Sequence, residues 1–472
     1  MIPVSAYKGM EVALFGLGRT GVSAARALIA GGAKVHAWDD NEVSREKARE
    51  AGVTISDINK MDWQKFAALV LSPGVPYKFP EPHRVVKMAQ LVGVPVVGDM
   101  ELFARSVNDL PGHARPKIVG ITGTNGKSTT TALIGHILKR AGRDVRVGGN
   151  IGRGVLDLES LTANSIYVLE LSSYQLDLID SLRCNVSVFL NVSPDHLDRH
   201  GGMDGYVAAK ARIFRNQTRD DTAVIGVDDL RTQILCTRLA AEGTRRVTPI
   251  SAEMALGRGV SVLQGRLSDS HNGHSETPVD ISHVKTLPGR HNHQNAAAAY
   301  AACRALGLAP NEILEGMETF PGLAHRLEAA GVVGRVAFVN DSKATNAQAA
   351  EQALRAYPGA FWIAGGRAKD DGIDELAPYF SSIRKAYLIG QAMDDFSSTL
   401  KGKVVTEKCE TLDVAVARAY EDAVESGLEN PVVLFSPACA SFDQFKDFEA
   451  RGDAFKRAVQ GLIRQDAITV NA

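Results

Sequence analysis

Residues 122–129, TGTNGKST, combine two glycines, a lysine and hydroxyl side chains in an order that suits phosphate binding. Glycines let backbone N–H groups approach phosphate oxygens closely, and Lys127 adds positive charge at a helix N-terminus. Ser128 or Thr129 is placed to bind the magnesium that accompanies ATP. The usual spacing would put the first glycine at position 121, where this chain has Ile121. The segment therefore predicts a variant phosphate loop that binds ATP.

Two later segments carry groups that could serve the same chemistry. Glu170 lies near the end of an otherwise apolar run, SIYVLEL, where an unpaired carboxylate is costly to remove from water. It is either a salt-bridged strand end or a magnesium ligand, and the phosphate loop favours the magnesium ligand. A second apolar run leads into a group of acidic and imidazole side chains: Asp195, His196, Asp198 and His200. Their position after a strand parallel to the Glu170 strand makes them functional candidates.

Short apolar runs that alternate with helical patterns predict the elements that position these groups. A strand over Lys117–Ile121 precedes the phosphate loop, and a helix follows it. Further strands are predicted over Ser165–Leu171, Cys184–Asn191 and Thr222–Val227. The carboxyl ends of parallel strands share one edge of a sheet, which is where α/β proteins bind ligands.

The first region of the chain carries a second glycine turn, GLGRTG, after a strand over Met10–Phe15. The next strand, Lys34–Trp38, ends in Asp39 and Asp40, which completes a dinucleotide-type βαβ fingerprint. The same turn serves many ligands that contain diphosphate and ribose, so NAD, FAD and UDP-sugars all remain open. A strand over Ala67–Leu71 runs into the turn SPG, where ligand contact and simple turn formation are equally supported.

The region after the Thr222–Val227 strand is less informative. From about Ile250 to Leu287 the pattern is short and β-like. Three histidines in or near it have a spacing that fits no common metal site, so we expect a surface loop: His271, His274 and His283. An alanine-rich helix is predicted over Ala296–Leu306. Two amide side chains stand at its start, where they can face a ligand: Asn292 and Asn295.

The C-terminal region again alternates strands with helices, which predicts another α/β domain. Its strands are predicted over Val336–Asn340, Ala360–Ala364, Ala386–Ile389 and Pro431–Phe435. The loops that follow carry charged and hydroxyl groups, among them Lys343, Lys369 and Ser441. These could bind carboxylate or phosphate, whereas any one lysine could equally be a solvated surface charge.

The length, net charge, apolar content and cysteines of the chain limit the classes of protein to which it can belong. The chain has 472 residues, more than one hydrophobic core normally organises, so two or three domains are expected. Its 53 basic and 54 acidic side chains give a net charge of -1, so we expect no nucleic-acid partner and no attraction to an anionic membrane. The sequence has no apolar run of about 18 residues, which predicts no membrane insertion. Five scattered cysteines suit a reduced, cytoplasmic protein.

Polar segments interrupted by proline and glycine predict the domain boundaries. The segment NDLPGHARPK, residues 108–117, is typical of an interdomain linker, and Phe320-Pro321-Gly322 marks a second boundary. We predict domains over residues 1–107, 108–321 and 322–472.

Together the motifs resemble those of the Mur ligase family, ATP-dependent amino-acid ligases of bacterial cell-wall synthesis. The matching segments span essentially the whole chain: GLGRTG, SPG, TGTNGKST, GGNIG, ELSSYQL, NVSPDHLDRH, AAKARIF, HNHQN, AHR, NDSKATN and SPACASFDQFKDFEARG. The resemblance implies an α/β fold of three domains. These are a Rossmann-like N-terminal domain for a UDP-linked substrate, a central P-loop ATPase-like domain, and a Rossmann-like C-terminal domain for an amino acid.

The resemblance also implies a reaction. ATP would phosphorylate the carboxylate of UDP-N-acetylmuramoyl-L-alanine, and the amine of D-glutamate would displace phosphate from the acyl phosphate. Positioning and charge neutralisation would supply most of the catalysis. The family further implies two Mg2+ ions and a Lys210 carbamylated by carbon dioxide, although the residues alone predict a surface lysine on a helix. We expect a cytoplasmic monomer.

Carried over residue by residue, the resemblance implies several overlapping sets of site residues. The catalytic set is Lys127, Glu170, His196 and Lys210, and the metal set is Ser128, Thr129, Glu170, His196 and Lys210. The ATP set is Gly123, Thr124, Asn125, Gly126, Lys127, Ser128, Thr129, Asn292, Asn295, Arg326, Asp341 and Lys343. The UDP-substrate set is Gly18, Arg19, Thr20, Asp39, Gly74, Asn150 and His196. The D-glutamate set is Thr345, Lys369, Ser441, Phe442 and Phe448.

Two departures from the family pattern concern the substrate-binding regions. After the acid that ends the second strand, this chain has Asp40 and Asn41 in place of the usual Thr and Arg, so those UDP contacts do not carry over. Arg19 could supply the missing positive charge. Ala324 replaces the usual proline before the His-Arg pair, a backbone change that we expect to be tolerated.

Three alternatives stay open. A nicotinamide-dependent oxidoreductase would account for GLGRTG but would leave the phosphate loop and the third domain unexplained. An ATP-dependent regulatory protein could retain the same fold. Another amino-acid ligase of the superfamily, such as folylpolyglutamate synthase, would share the central loop but is not expected to carry the GLGRTG domain.

Overall fold

The computed structural model describes residues 1–270, 277–368 and 372–470, with side chains as far as residue 466 in the last range. The chain forms two compact units, Met1–Phe320 and Pro321–Ala472. Three sheets, each built mainly of parallel strands, confirm the α/β class. The division into three domains at residues 107 and 321 stays a prediction. His271, His274 and Lys369 lie outside the described residues.

The first sheet lies at the start of the first unit. Its strands are β1 Glu11–Phe15, β2 Lys34–Trp38, β3 Phe66–Leu71 and β4 Val96–Val97, and the helices around it are α1 Arg19–Ala30, α2 Glu42–Glu50, α3 Arg84–Leu91 and α4 Asp99–Asn108. All pairs are parallel, in the order β2-β1-β3-β4. The turn after β1 depends on glycine, because a Cβ on Gly21 would lie 1.8 Å from the carbonyl oxygen of Gly16.

The second sheet has nine strands among the described residues. They are β5 Lys117–Thr122, β6 Asp144–Gly149, β7 Ser165–Glu170, β8 Val186–Phe189, β9 Thr222–Gly226, β10 Arg246–Ser251, β11 Val260–Leu263, β12 Arg266–Asp269 and β13 Val279–Asp280. The order is β13-β12-β11-β10-β9-β8-β5-β7-β6. Pairing is parallel from β6 through β11 and antiparallel for β12 and β13. The helices are α5 Lys127–Arg140, α6 Ser173–Asp177, α7 Met203–Ala211, α8 Leu230–Glu242, α9 Arg290–Ala305 and α10 Pro310–Glu318.

The central position of β5 brings three strand ends together. β5 pairs with β7 on one side, where Ile121 faces Glu170, and with β8 on the other, where Thr122 faces Phe189. β8 is shorter than the predicted run Cys184–Asn191, because beyond its end the carbonyl oxygen of Asn191 accepts from the N–H of Thr124 at 3.0 Å. The backbone of Asn191 is therefore hydrogen bonded to the phosphate loop and does not continue the pairing of β8 with its neighbouring strands.

The second unit contains one sheet and its covering helices. The strands are β14 Glu328–Val333, β15 Val336–Asn340, β16 Phe361–Gly365, β17 Lys385–Ile389, β18 Thr406–Glu410 and β19 Val432–Phe435. The order is β14-β15-β19-β16-β17-β18, and only the β14–β15 pair of the described strands is antiparallel. The helices are α11 Ala347–Ala356, α12 Met393–Leu400, α13 Leu412–Glu425 and α14 Phe448–Val470.

Core packing agrees with the apolar patterns. One continuous cluster of buried side chains includes residues of the first sheet and of the β5 to β9 region, for example Leu14, Phe103 and Tyr167. All five cysteines are free thiols, and all except the half-buried Cys236 are buried. Among the described helices, none has the length and apolar content to cross a bilayer.

Candidate active site

The phosphate loop joins β5 to α5 through two glycines with positive φ, Gly123 at +151° and Gly126 at +82°. A Cβ on Gly126 would lie 2.2 Å from Oδ1 of Asn295, so this close approach requires glycine. The backbone N–H of Asn125 donates to Oδ1 of Asn191 at 2.9 Å. Asn191 therefore shapes the loop, a role that sequence reasoning did not assign. The only sequence signal was its place in the segment NVSPDH.

Two lysine amines meet at this loop. Nζ of Lys127 donates to the carbonyl oxygens of Gly123 at 3.0 Å and Thr124 at 2.7 Å. Nζ of Lys210 donates to the same Gly123 oxygen at 2.7 Å. Both amines therefore lie at the start of the loop, although Lys210 comes from α7.

Lys210 is buried, so the surface lysine predicted from the sequence pattern alone is wrong. Lys210 is only 1% exposed, because its side chain turns inward to the Gly123 carbonyl oxygen and the Tyr206 ring. Burial, followed by the nearby charge of Lys127, holds the pKa of Lys210 well below its usual range. The carboxylates of Asp195 and Glu170 act in the opposite direction and are outweighed. These contacts therefore favour the neutral form of the Lys210 amine.

Glu170 ends β7 with a buried carboxylate. Its Oε1 accepts from Nδ2 of Asn150 at 2.8 Å, and its Oε2 is buried without a hydrogen-bond partner. No ion pair to Glu170 exists among the described residues, so the salt-bridge alternative is wrong. The backbone N–H of Asn150 also donates to the Glu170 carbonyl oxygen at 2.9 Å. A buried carboxylate oxygen without a partner suits a cation ligand.

The acidic and imidazole groups after β8 separate into two environments. The side chain of His196 is 53% exposed, its backbone is left-handed with φ +50°, and its Nε2 lies 3.5 Å from Oδ1 of Asp195. His200 is buried, with Nδ1 3.2 Å from Oδ2 of Asp177 and Nε2 2.9 Å from Oγ of Ser173. His200 is therefore bonded to α6 while His196 stays exposed, and the functional role of the group remains a prediction.

A metal at this edge would need ligands of several kinds. No group of three or more His, Cys, Asp or Glu side chains that could hold an ion occurs in the part of the chain that the structure describes. The available protein ligands are the Glu170 carboxylate, the hydroxyls of Ser128 and Thr129 on the first turn of α5, and the exposed His196. The carboxylate and hydroxyl oxygens among these fit magnesium when nucleotide phosphates complete the coordination sphere.

Asn292 and Asn295 lie within α9, which begins at Arg290 and not at Ala296 as predicted, because the turn at Gly289 directly precedes it. Oδ1 of Asn295 accepts from Oγ1 of Thr130 at 3.1 Å, and its Nδ2 donates to Oδ1 of Asn292 at 3.0 Å. These hydrogen bonds tie α9 to the phosphate-loop helix.

The first sheet places the predicted UDP-side residues around the β1–α1 turn. Oδ2 of Asp39 accepts from the N–H of Leu17 at 2.6 Å, which closes the turn. Gly18 and Arg19 are exposed and Thr20 is half-buried. Gly74 is on the SPG turn, and its carbonyl oxygen accepts from Nη1 of Arg199 at 3.2 Å.

Asp40 is already paired in this structure. It lies 3.4 Å from Nε2 of His83 and hydrogen bonds with Arg84. The negative charge of Asp40 is therefore paired within the first sheet region, by side chains more than 40 residues away in sequence.

In the second unit, Asp341 follows β15 and is buried. Its Oδ2 accepts from Oγ of Ser436 at 2.8 Å, and its Oδ1 accepts from the N–H of Leu327 at 3.2 Å. Burial raises the pKa of Asp341 to about 7, although these hydrogen bonds and the charge of Arg326 lower it. Nε of Arg326 is buried without a partner. Nζ of Lys343 lies 5.2 Å from the centroid of the Phe448 ring.

The remaining residues of the D-glutamate set differ in burial. Ser441 is buried, Phe442 is 67% exposed, and Thr345 and Phe448 are half-buried.

Sequence reasoning missed Arg451, which is buried on α14 near these residues. It donates to the carbonyl oxygens of Ser342 at 2.8 Å and Cys439 at 3.0 Å, and its Nη1 has no partner. Burial lowers the pKa of Arg451 to about 10. Nothing in the sequence indicated this role beyond the presence of an arginine in the segment FEARG.

Comparison with known proteins places these features in a family. Residues 121–303 match the family model described as the Mur ligase middle domain. The chain is 60% identical over 462 residues to UDP-N-acetylmuramoylalanine--D-glutamate ligase of Caulobacter vibrioides, covering 98% of both chains. It is 48% identical over 472 residues to the protein of the same name from Rhodospirillum rubrum, covering 99% of this chain and 98% of that one.

Solved structures share the fold at low identity. MurC from Thermotoga maritima, a UDP-N-acetylmuramate-alanine ligase, aligns with a TM-score of 0.58 at 18% identity, covering 96% of this chain and 99% of the other. MurF ligase from Thermotoga maritima, solved in complex with ADP, aligns with a TM-score of 0.53 at 18% identity, covering 84% and 95%. These two matches support the fold alone.

Proposed function

The chain belongs to the Mur ligase family, and from this premise we propose that it joins D-glutamate to UDP-N-acetylmuramoyl-L-alanine with conversion of ATP to ADP and phosphate. The product would be a precursor of peptidoglycan. The substrates are those in the names of relatives that match nearly the whole chain. The observation that carries the chemistry is the pair of amines, Lys127 and Lys210, that share one carbonyl oxygen of the phosphate loop.

The proposed reaction has two steps. A carboxylate oxygen of the muramoyl-alanine attacks the γ-phosphorus of ATP, and the bond from that phosphorus to the bridging oxygen breaks, releasing ADP. The amine of D-glutamate then attacks the acyl carbon and loses a proton to water. The bond between that carbon and the phosphate oxygen breaks, which leaves an amide and free phosphate.

In this proposal the phosphate loop binds and neutralises the triphosphate. Lys127 would exchange its hydrogen bonds to the loop carbonyls for bonds to phosphate oxygens, and the backbone N–H groups at the start of α5 would add to them. Both groups are in place before ATP binds, so little reorganisation is needed when charge develops on the transferred phosphoryl group. The buried amides Asn292 and Asn295 hold this loop from behind.

Two magnesium sites fit the residues present. Bound magnesium would neutralise charge on the phosphates. Ser128 or Thr129 with Glu170 would hold one ion, which would use the unpartnered Oε2 of Glu170. His196 and a carbamylated Lys210 would serve the second. The lowered pKa of Lys210 supports the carbamate, because only a neutral amine attacks carbon dioxide.

The other predicted residues complete the proposal. Gly18, Arg19, Thr20, Asp39 and Gly74 would bind the UDP-linked substrate, with Asn150 and His196 at its muramoyl-alanine end. Arg326, Asp341 and Lys343 would bind ATP. Thr345, Lys369, Ser441, Phe442 and Phe448 would bind D-glutamate.

Phosphate release from ATP tests the assignment. The full mixture of protein, MgATP, UDP-N-acetylmuramoyl-L-alanine and D-glutamate should release phosphate, and omission of either acceptor should reduce release to background. L-glutamate in place of D-glutamate is the matched control and should give no product. Release that does not require both acceptors would overturn the proposal.

We also propose that the enzyme is a monomer that acts in the cytoplasm. Sedimentation equilibrium should give a mass close to 50.5 kDa. A mass near twice that value across the concentration range would contradict a monomer, and activity recovered mainly with membranes would contradict the location.

A further inference from the structure

We propose that His200 is a positioning residue that sets the spacing between His196 and Lys210. The proposal rests on the function proposed above, in which these two side chains serve one magnesium ion. Its basis is a set of contacts in which one buried imidazole touches two tyrosines. Each of those tyrosines lies against one of the two proposed ligands.

The His200 ring is held on both of its nitrogens. Its side chain is 1% exposed, Nδ1 lies 3.2 Å from Oδ2 of Asp177, and Nε2 lies 2.9 Å from Oγ of Ser173. Ser173 and Asp177 are the first and last residues of α6, so the ring is bonded to both ends of this helix. Lys78 also pairs with Asp177 at 3.2 Å. A ring that is buried and bonded at both nitrogens has one defined orientation.

The same five-residue helix carries Tyr174, which links His200 to His196. The rings of Tyr174 and His200 are stacked, with centroids 5.5 Å apart and an interplanar angle of 11°. The Tyr174 ring lies 5.3 Å from the ring of His196 and 4.7 Å from the guanidinium carbon of Arg199. His196 is exposed and has a left-handed backbone, so packing against Tyr174 restricts where its imidazole can lie.

Tyr206 links His200 to Lys210 on the other side. The rings of His200 and Tyr206 lie 5.3 Å apart, and Nζ of Lys210 lies 4.5 Å from the Tyr206 centroid. The Tyr206 hydroxyl lies 3.2 Å from Oγ1 of Thr124 in the phosphate loop. Movement of the His200 ring would therefore shift the surfaces against which His196 and Lys210 both pack.

The hydrogen bonds of Ser173, His200 and Asp177 follow the order found in nucleophilic triads. Ser173 is only 3% exposed, however, so its hydroxyl is not accessible to a substrate. The arrangement therefore serves to orient the imidazole and Tyr174, which is a positioning role.

Manganese binding tests the proposal without relying on turnover. Mn2+ is the probe, because it accepts the same oxygen-rich coordination as magnesium. Titration of the full chain with Mn2+ in the presence of ADP and bicarbonate, followed by electron paramagnetic resonance, should show two bound ions in the wild type. In His200→Ala, one ion should bind at least about tenfold more weakly, and the other ion and ADP should keep their affinities.

The matched control is His36→Ala, which also removes an imidazole that packs on an aromatic ring, Phe66, and pairs with a carboxylate, Glu11. It should leave both manganese affinities unchanged. Equal affinities in folded His200→Ala and wild type would overturn the proposal, since a merely structural histidine would lower thermal stability alone.

A second variant, Asp177→Asn, tests the proposal if His200→Ala does not fold. It keeps an oxygen that can accept from Nδ1 but removes the charge, so the affinity for one manganese ion should fall by a smaller factor, about threefold. Unchanged binding of both ions would overturn the proposal. A wild type that binds two Mn2+ ions but releases phosphate without either acceptor would refute the proposed function and leave the positioning role intact.

Discussion

The β1–α1 turn and the β5–α5 loop both follow a buried parallel strand and lead into a helix, yet different groups lie behind them. The first turn is closed by glycine packing at Gly21 and by one carboxylate, Asp39, that accepts from the N–H of Leu17. The second has Lys210 and Asn295 packed directly against its backbone. Glycines permit the tight backbone path in both places, and at the phosphate loop buried side chains also lie against the backbone.

Electrostatics explains the difference. Burial, followed by the nearby charge of Lys127, lowers the pKa of Lys210. The loop therefore brings together two amines in different environments, a partly buried Lys127 and a fully buried Lys210. The first turn has an exposed arginine, Arg19, which can bind an anion but is not desolvated.

The largest expected effect is at Lys127. Lys127→Ala should lower kcat for phosphate release by about a thousandfold or more, because the transferred phosphoryl group loses its fixed cation. Arg19→Ala in the first turn is the comparison variant and should change kcat less than about threefold while raising KM for the UDP-linked substrate. Similar kcat losses in both variants would show that the two loops do not differ in role. Steady-state kinetics with each substrate varied in turn makes the measurement.

Lys210→Ala should come next, with activity reduced about a hundredfold or more because the carbamate oxygens are lost. A short-chain carboxylic acid should restore part of the activity by occupying the vacated space as a carboxylate. Lys139→Ala, on the exposed face near the end of α5, is the control and should keep the activity of the wild type. Unchanged activity in Lys210→Ala would contradict the carbamate.

Asp39 offers a test on the first turn. Asp39→Ala should raise KM for the UDP-linked substrate about tenfold with kcat within about threefold, since it frees the N–H of Leu17 and loosens the turn. Asp39→Asn keeps one acceptor oxygen, so its KM for the UDP-linked substrate should lie between those of Asp39→Ala and the wild type. A fall in kcat with unchanged KM would place Asp39 in the chemistry instead of in binding.

The smallest expected effect concerns stability at a contact between the two sheet regions of the first unit. Asp99 begins α4, and its Oδ2 accepts from Nε2 of Gln175 at 3.2 Å. Burial raises the pKa of Asp99 from 3.8 to about 6. Between these values the folded chain holds a proton that the unfolded chain has lost, so stability falls as the pH rises from about 4 to about 6.

Asp99→Asn should remove that dependence and stabilise the chain above pH 6 by roughly 1–3 kcal/mol. Urea denaturation at pH 5 and pH 8, compared with wild type and with the exposed control Asp198→Asn, makes the measurement. A stability difference between Asp99→Asn and wild type that does not grow with pH would contradict the raised pKa of Asp99.

Much of the fold was predictable because strands and turns depend on local patterns. The strands Lys34–Trp38 and Val336–Asn340 match their predicted bounds, and the start of the phosphate-loop strand at Lys117 was also correct. Errors arose where long-range contacts decided the outcome. β8 ends early because Asn191 bonds to the phosphate loop, and the turns of α9 that precede Ala296 are tied to α5 by the hydrogen bond from Thr130 to Asn295.

The sequence by itself determined the order of the elements, the two glycine turns and the residue types available for phosphate chemistry, since these depend on neighbours along the chain. Only the tertiary structure decided which groups are buried and what they contact. Lys210 bonds to an oxygen 87 residues away, and its lowered pKa comes from that burial. The partnerless oxygen of Glu170 and the contacts of His200 have the same origin, because desolvation and side-chain partners are set by packing between distant segments.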